Sequence, residues 1–309
     1  MVKSEKSKKR SRRVVRETAG FYLCILPFIV GFLLFTLIPM VSSLYYSFNK
    51  MSILNIANGS SKWIGFTNYV KIFTSDTLFL RSIGNTFIYA FVGTLCGIIP
   101  ALLVSLWLNK KFYGVKVVRV LVYLPALIPA VASSLVWLQL FSKDCSLFNT
   151  MLGWFGIPSI DYLSYNQAIW SIILMNAWCT MGPNMILFIA ALQGVPKDLI
   201  EAADLEGAGP IRKFFTITLP MISPTIFYQL ITGFIGGLQI YTQIVLLTGF
   251  GTETTISMAM SVVTNAFNTM GNKTMGYACA QAWIMFLFIL IFTGIFFKVL
   301  NRKVYYTGD

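Results

Sequence analysis

The chain contains no histidine, and only 11 of its 309 side chains are carboxylates. The first absence excludes His-ligated metals and any catalysis or proton relay built on imidazole. The second leaves few acid–base pairs from which an active site could be assembled. Charged residues of both signs make up 11% of the chain, against about a quarter in an ordinary soluble domain. Six stretches carry no Asp, Glu, Lys or Arg at all: Thr18–Asn49, Ser82–Asn109, Val120–Ser142, Tyr162–Pro196, Phe214–Thr252 and Thr274–Phe297. No buried acid or base is therefore offered for a proton-coupled pathway, although a sodium site could still use backbone oxygens. A phosphate-cradling Walker A loop is also missing, since Gly271-Asn272-Lys273-Thr274 lacks the upstream glycine. If ATP drives this protein, another chain hydrolyses it. Four of the five cysteines (Cys24, Cys96, Cys179, Cys279) lie in or beside the uncharged stretches, and only Cys145 is clearly outside them. That pattern is no disulfide framework.

What is present is apolar: 56% hydrophobic residues and a mean hydropathy of +0.72. Crossing a bilayer takes about 20 apolar helical residues, and every uncharged stretch reaches that length. Buried helices of a soluble core would show a polar face within each segment. Barrel strands would alternate polar with apolar residues. The expectation is an all-α polytopic membrane protein with six transmembrane helices near 20–44, 84–108, 118–140, 168–194, 224–248 and 278–298. The outer loop before the second span is expected to hold one short interfacial helix. No internal repeat is evident.

The net charge of +13 could suggest nucleic acid, but its distribution points to a membrane. In the six-span arrangement, 18 basic residues fall on one side, eight of them within the first 16 residues. Six fall on the other: Lys50, Lys62, Lys71, Arg81, Lys143 and Lys273. The positive-inside rule then puts both termini in the cytoplasm. The basic start followed by Phe21–Met40 also looks like a signal peptide, but the run is long and no small-x-small cleavage site follows, so it reads as an uncleaved first span. The organisation expected is a basic tail over 1–18, which could also touch anionic lipid, a membrane domain over 19–301, and a short tail over 302–309.

The spans do carry neutral polar and aromatic groups, among them Asn176, Trp178, Gln239, Tyr241 and Gln243. Amides pair with hydroxyls as donors and as acceptors, so the set suits a neutral polyhydroxyl solute. Helix-to-helix hydrogen bonding is the plainer alternative for any one of them.

The acids gather in one inner loop, 195–223, where Asp198, Glu201, Asp204 and Glu206 fall within nine residues. Pro196 suits a first helical turn, and early carboxylates favour the positive end of that helix. Leu199, Ile200, Ala203 and Gly207 can form one apolar stripe at helical spacing. Gly207-Ala208-Gly209-Pro210 should break the helix, with a second one running through Phe214 and Phe215 and ending before Leu219-Pro220. The loop reads as a helix–turn–helix on the cytoplasmic face.

The pattern Glu201-Ala202-Ala203, three residues, Gly207, nine residues, Ile217-x-Leu219-Pro220 resembles the EAA loop of permeases of binding-protein-dependent ABC importers. Further likeness to the sugar-importing branch lies in Gly65-x-x-Asn68-Tyr69, Asn85-Thr86, Leu124-Pro125, Trp137, Leu192-Gln193, Leu246-Leu247-Thr248-Gly249 and Gly276-Tyr277-Ala278-Cys279-Ala280. The chain departs from that pattern at Glu206, where Asp is common, and at Gly249-Phe250-Gly251, where Gly-Gly-Pro is usual. The resemblance implies an ABC type I importer permease fold in the bacterial plasma membrane. It implies a second homologous permease, two cytoplasmic ATPase subunits that hold ATP and Mg, and an external solute-binding protein. No cofactor is implied in this chain. Glu201 would meet a basic residue of the ATPase, Ala202 and Ala203 would allow close approach, Gly207 would make the turn, and Ile217, Leu219 and Pro220 would complete the loop. The family's sugar contacts fall on Asn176, Gly233 and Gly237. The two glycines have no side chain to offer, which brings in Gln239, Tyr241, Trp178 and Gln243. The expected function is half of the translocation path for a sugar or oligosaccharide. The alternatives are the same architecture for glycerol phosphate or another polyol derivative, a stand-alone carrier or channel, and a membrane scaffold without transport. No enzyme reading finds residues to support it.

Overall fold

The computed structural model describes residues 18, 20–52, 61–110, 112–143, 146–249, 251–267 and 274–300. The basic tail through residue 17, the tail over 302–309, Cys145, Phe250 and Gly271–Lys273 lie outside the described residues. Four helices are long and apolar enough to cross a bilayer: α1 (Gly20–Ser47), α3 (Thr77–Leu108), α7 (Ala168–Gln193) and α13 (Met275–Leu300). The short helix expected before the second span is α2 (Thr67–Thr74). It packs beside a two-residue antiparallel pair, β1 (Asn49–Lys50) with β2 (Lys62–Trp63), a small exception to the all-helical expectation.

The expected third and fifth spans are not single helices. α4 (Val115–Tyr123) continues through a 3-10 turn, Leu124–Leu127, and then meets α5 (Ala130–Phe141) at 100°. Pro129 causes this break, because a proline ring crowds the preceding residue out of the helical region. Ile128 is accordingly extended, at φ −80° and ψ 127°. The fifth expected span is preceded by α9 (Pro210–Met221), which meets α10 (Ser223–Leu238) at 66°. It is interrupted again over Gln239–Tyr241 before α11 (Thr242–Thr248). By length and composition the described residues hold four to six spans, six if each bent pair counts as one. Two further short helices sit in connections read from the sequence as loops: α6 (Leu147–Trp154) and α12 (Met258–Phe267).

α3 and α7 lie against each other along most of their length, and α10 packs against α3 and also touches α7, where Gln229 Nε2 donates to the Asn184 carbonyl at 3.2 Å. Their side chains form layers. At one end Tyr89 of α3, Trp137 and Phe141 of α5, Ile172 and Met175 of α7, and Ile240, Ile244 and Ile256 pack into one cluster. At the other end Ile98, Ala101 and Leu108 of α3 meet Met185, Phe188 and Leu192 of α7 and Ile222. A third cluster joins α3 and α10 to α13 through Phe79, Ala90, Phe234, Leu238, Tyr277 and Ile284. Between the first two layers Thr94 of α3 and Asn176, Thr180 and Asn184 of α7 face a common space.

Candidate functional site

The inner loop forms α8 (Lys197–Leu205), with Pro196 in the position just before its first turn and Asp198 within it. Its end is built by local chemistry. Gly207 has φ +74°, a conformation that costs a side-chain-bearing residue about 1–2 kcal/mol. That turn lets Ala208 N–H donate to Ala203 C=O at 2.9 Å, and Gly207 N–H to Asp204 C=O at 3.0 Å. This pair of bonds is the Schellman closure, which satisfies carbonyls the helix would otherwise leave open. Lys213 pairs with Asp204 across the turn.

Of the stripe expected on α8, Ile200 and Ala203 turn inward, and Ile200 joins the layer around Leu192, Ile217 and Ile222. Leu199 and Gly207 are exposed instead. The following helix does not stop before Leu219-Pro220. It runs on to Met221 by widening into a π-turn over Phe214–Thr218, in which Leu219 N–H reaches back to Phe214 C=O. Pro220 lacks the N–H of a regular helix, and a π-turn beside it accommodates the missing bond. Ile217, Leu219 and Pro220 are half-buried against the membrane helices, while Glu201 and Ala202 face outward. Leu199, Leu205 (91% exposed), Ile211 (75%) and Phe215 (60%) are the large apolar groups left open on this unit.

The second candidate region is a cavity of about 400 Å³ between α3, α7 and the broken helix pair α10–α11. Asn176, Gly233, Gly237, Gln239, Tyr241 and Gln243 line it together, although they come from separate elements. Trp178 does not. Its ring stands edge-on to Trp137 at 5.5 Å, and it borders an apolar recess beside Cys96 and Trp170. One turn separates Asn176 from Thr180, whereas Trp178 sits on the opposite face of α7.

Asn184, one of the neutral polar span residues, also lines the cavity, and so do Tyr89, Thr94, Thr180, Thr232 and Thr242, which reading the sequence alone missed. Helical spacing was the available signal, since Asn176, Thr180 and Asn184 recur every four residues. Gly233 and Gly237 have a packing reason to be glycine. A Cβ on Gly237 would lie 2.5 Å from Ala90 Cα, and one on Gly233 would lie 2.8 Å from Thr94 Cγ2. The interruption at Gln239–Tyr241 leaves backbone out of helix at the cavity wall, a place where irregular chain is tolerated at membrane depth. No Asp, Glu, Lys or Arg is among the lining residues. Among the described residues no group of His, Cys, Asp and Glu could hold a metal.

The family model of the binding-protein-dependent transport system inner membrane component matches residues 93–306. The chain belongs to this family. The permease is 33% identical over 304 residues to the probable ABC transporter permease protein YesP of Bacillus subtilis (strain 168), covering 96% of both chains. It is 30% identical over 288 residues to the sn-glycerol-3-phosphate transport system permease protein UgpA of Yersinia pestis bv. Antiqua (strain Antiqua), covering 92% of this chain and 95% of that one. It also resembles a chain of a bacterial ABC transporter involved in import of the acidic polysaccharide alginate. That likeness has a TM-score of 0.81 at 25% identity, covering 95% of this chain and 99% of the other. The permease is thus an inner-membrane transport component, not an enzyme, with the fold of an ABC type I importer permease.

Proposed function

We propose that the permease forms half of the translocation path of an ATP-driven importer for a sugar or oligosaccharide. It crosses the membrane six times, each bent pair counting as one span, with both termini in the cytoplasm. Its α8 surface grips one of two ATPase subunits, which hold the ATP and Mg, and a second, homologous permease completes the path. An external binding protein delivers the solute.

The observation that carries this reading is the pairing of two regions on shared helices. α7 leads from the cavity directly into α8, and α10 follows directly from α9. A displacement of the exposed Glu201 surface by a soluble partner therefore moves the cavity walls. The two states differ in packing, as a population shift requires. A stand-alone carrier or channel would leave Leu205 and Ile211 facing water with no partner to cover them.

Neutral amides, hydroxyls and a tyrosine suit a neutral sugar. Glycerol phosphate is the second reading, favoured by the relationship to UgpA. The uncharged lining works against it, because a phosphate dianion in a low-dielectric cavity needs cationic or multiple N–H partners. Those would have to come from the second permease.

The test is the complex with Glu201→Lys. The variant is expected to reach the membrane in normal amount, to lose the ATPase subunits on purification, and to abolish uptake. Normal co-purification of the ATPase would remove Glu201 from the contact.

A further inference from the structure

Asn85-Thr86 and Leu246-Leu247-Thr248-Gly249 have no part in the coupling loop, yet the fold brings both to one place. The segment Gly251–Ser257, which follows α11, lies across the first part of α3 and is held there by side chains of one α3 face. Asn85 Nδ2 donates to the carbonyls of Glu253 at 3.0 Å and Ile256 at 3.1 Å. Thr86 Oγ1 accepts from Met258 N–H at 2.9 Å, and Tyr89 Oη donates to Thr255 C=O at 3.0 Å. Arg81 pairs with Glu253 at the open end. These positions recur at helical spacing from Arg81 to Tyr89, about 12 Å of α3.

The segment is bonded to the cavity wall at two points. Tyr89 lines the cavity and holds Thr255, while Ser257 Oγ donates to the carbonyl of Ile240, another lining residue, at 2.5 Å. Ile256 packs with Tyr89, Ile240 and Ile244. Thr255 and Ser257 are fully buried. The exposed Arg81–Glu253 pair contributes little by itself, about 0–1 kcal/mol, as surface ion pairs do. The inner bonds matter more, because removing one partner leaves a buried carbonyl unsatisfied.

We propose that Gly251–Ser257 is the outer roof of the cavity, fastened to α3 by Asn85, Thr86 and Tyr89. Release of this stripe opens the cavity to the outer side. Tyr89 is a positioning residue in this arrangement: it joins the cavity wall to the roof, so a solute that displaces its ring also loosens Thr255. The inference rests on the orientation proposed above, in which α5, α6 and this segment face away from the ATPase.

The experiment uses the complete transporter in whole cells, with the five native cysteines replaced by alanine and Gln239→Cys as a reporter inside the cavity. A membrane-impermeant maleimide added outside should label this reporter slowly. Tyr89→Phe and Asn85→Ala should each raise the labelling rate several-fold, with the ATPase still co-purifying. In a separate variant without the reporter, Arg81→Cys/Glu253→Cys bridged by a bifunctional methanethiosulfonate should suppress uptake until the bridge is reduced. Unchanged labelling in both the Tyr89→Phe and Asn85→Ala complexes, or full uptake with the bridge closed, would overturn the roof. A Trp154→Cys marker on α6 separates the two proposals. Labelling of this marker only from the cytoplasmic side would overturn the orientation itself.

Discussion

Gly207 in the inner loop and Gly237 beside the cavity are both glycine, for opposite reasons. Gly207 has open space around it, with nothing within 4 Å of where a Cβ would stand, but its φ of +74° excludes most side chains. Gly237 has no positive φ, yet the backbone of Ala90 occupies the place a Cβ would take. The first is a property of the chain's own turn. The second is a property of two helices whose touching residues, Ala90 and Gly237, are 147 positions apart in sequence. Across the molecule, the coupling loop is assembled from consecutive residues, and the cavity from helices that meet only in the folded protein.

The largest effect is expected from the tertiary glycine. Gly237→Leu forces α10 away from α3, and overpacking of this kind costs about 1–3 kcal/mol or more. Little folded permease should survive detergent extraction, as read by size-exclusion chromatography. A normal yield would show that α10 can retreat cheaply and that the contact is not tight. Gly207→Val comes next. Its strain falls on the turn alone, so the protein should extract normally while uptake drops at least tenfold and ATPase co-purification weakens. Normal transport by this variant would separate the Schellman turn from coupling. The smallest effect is expected at the cavity wall. Asn176→Ala should raise the half-saturating solute concentration for uptake several-fold and leave ATPase binding unchanged. Unaltered uptake would remove Asn176 from the solute path and leave its neighbours Thr180 and Asn184 to be tested.

The same contrast explains what could be read from the amino acids. The start of the Glu201-Ala202-Ala203 helix and its end at Gly207 were legible because both are set by residues within a few positions, whereas the stop expected before Leu219-Pro220 was not met, the helix running on through a π-turn to Met221. The apolar stripe on α8 was only half legible. Ile200 and Ala203 turn inward, but Leu199 stays exposed, because which face docks is decided by Leu192, Ile217 and Ile222. In the cavity, Gln239, Tyr241 and Gln243 were found by polarity. Trp178 lies outside this cavity, on a face of α7 that polarity alone does not distinguish. The third span was expected to run unbroken over 118–140, and the 100° bend after Pro129 depends also on what α4 and α5 each pack against.

By itself, the sequence determined that this chain belongs in a membrane, since six uncharged stretches leave no other solvent for their surfaces. It also determined where a loop must leave that membrane, because four carboxylates in nine residues cannot remain in hydrocarbon. The tertiary structure decided which polar groups share a cavity and which glycines are there to let helices touch. It also gave Asn85 and Tyr89 their partners across some 170 residues of chain. Local backbone preference and solvation are written residue by residue. A cavity is the space left between helices, and it exists only once they have packed.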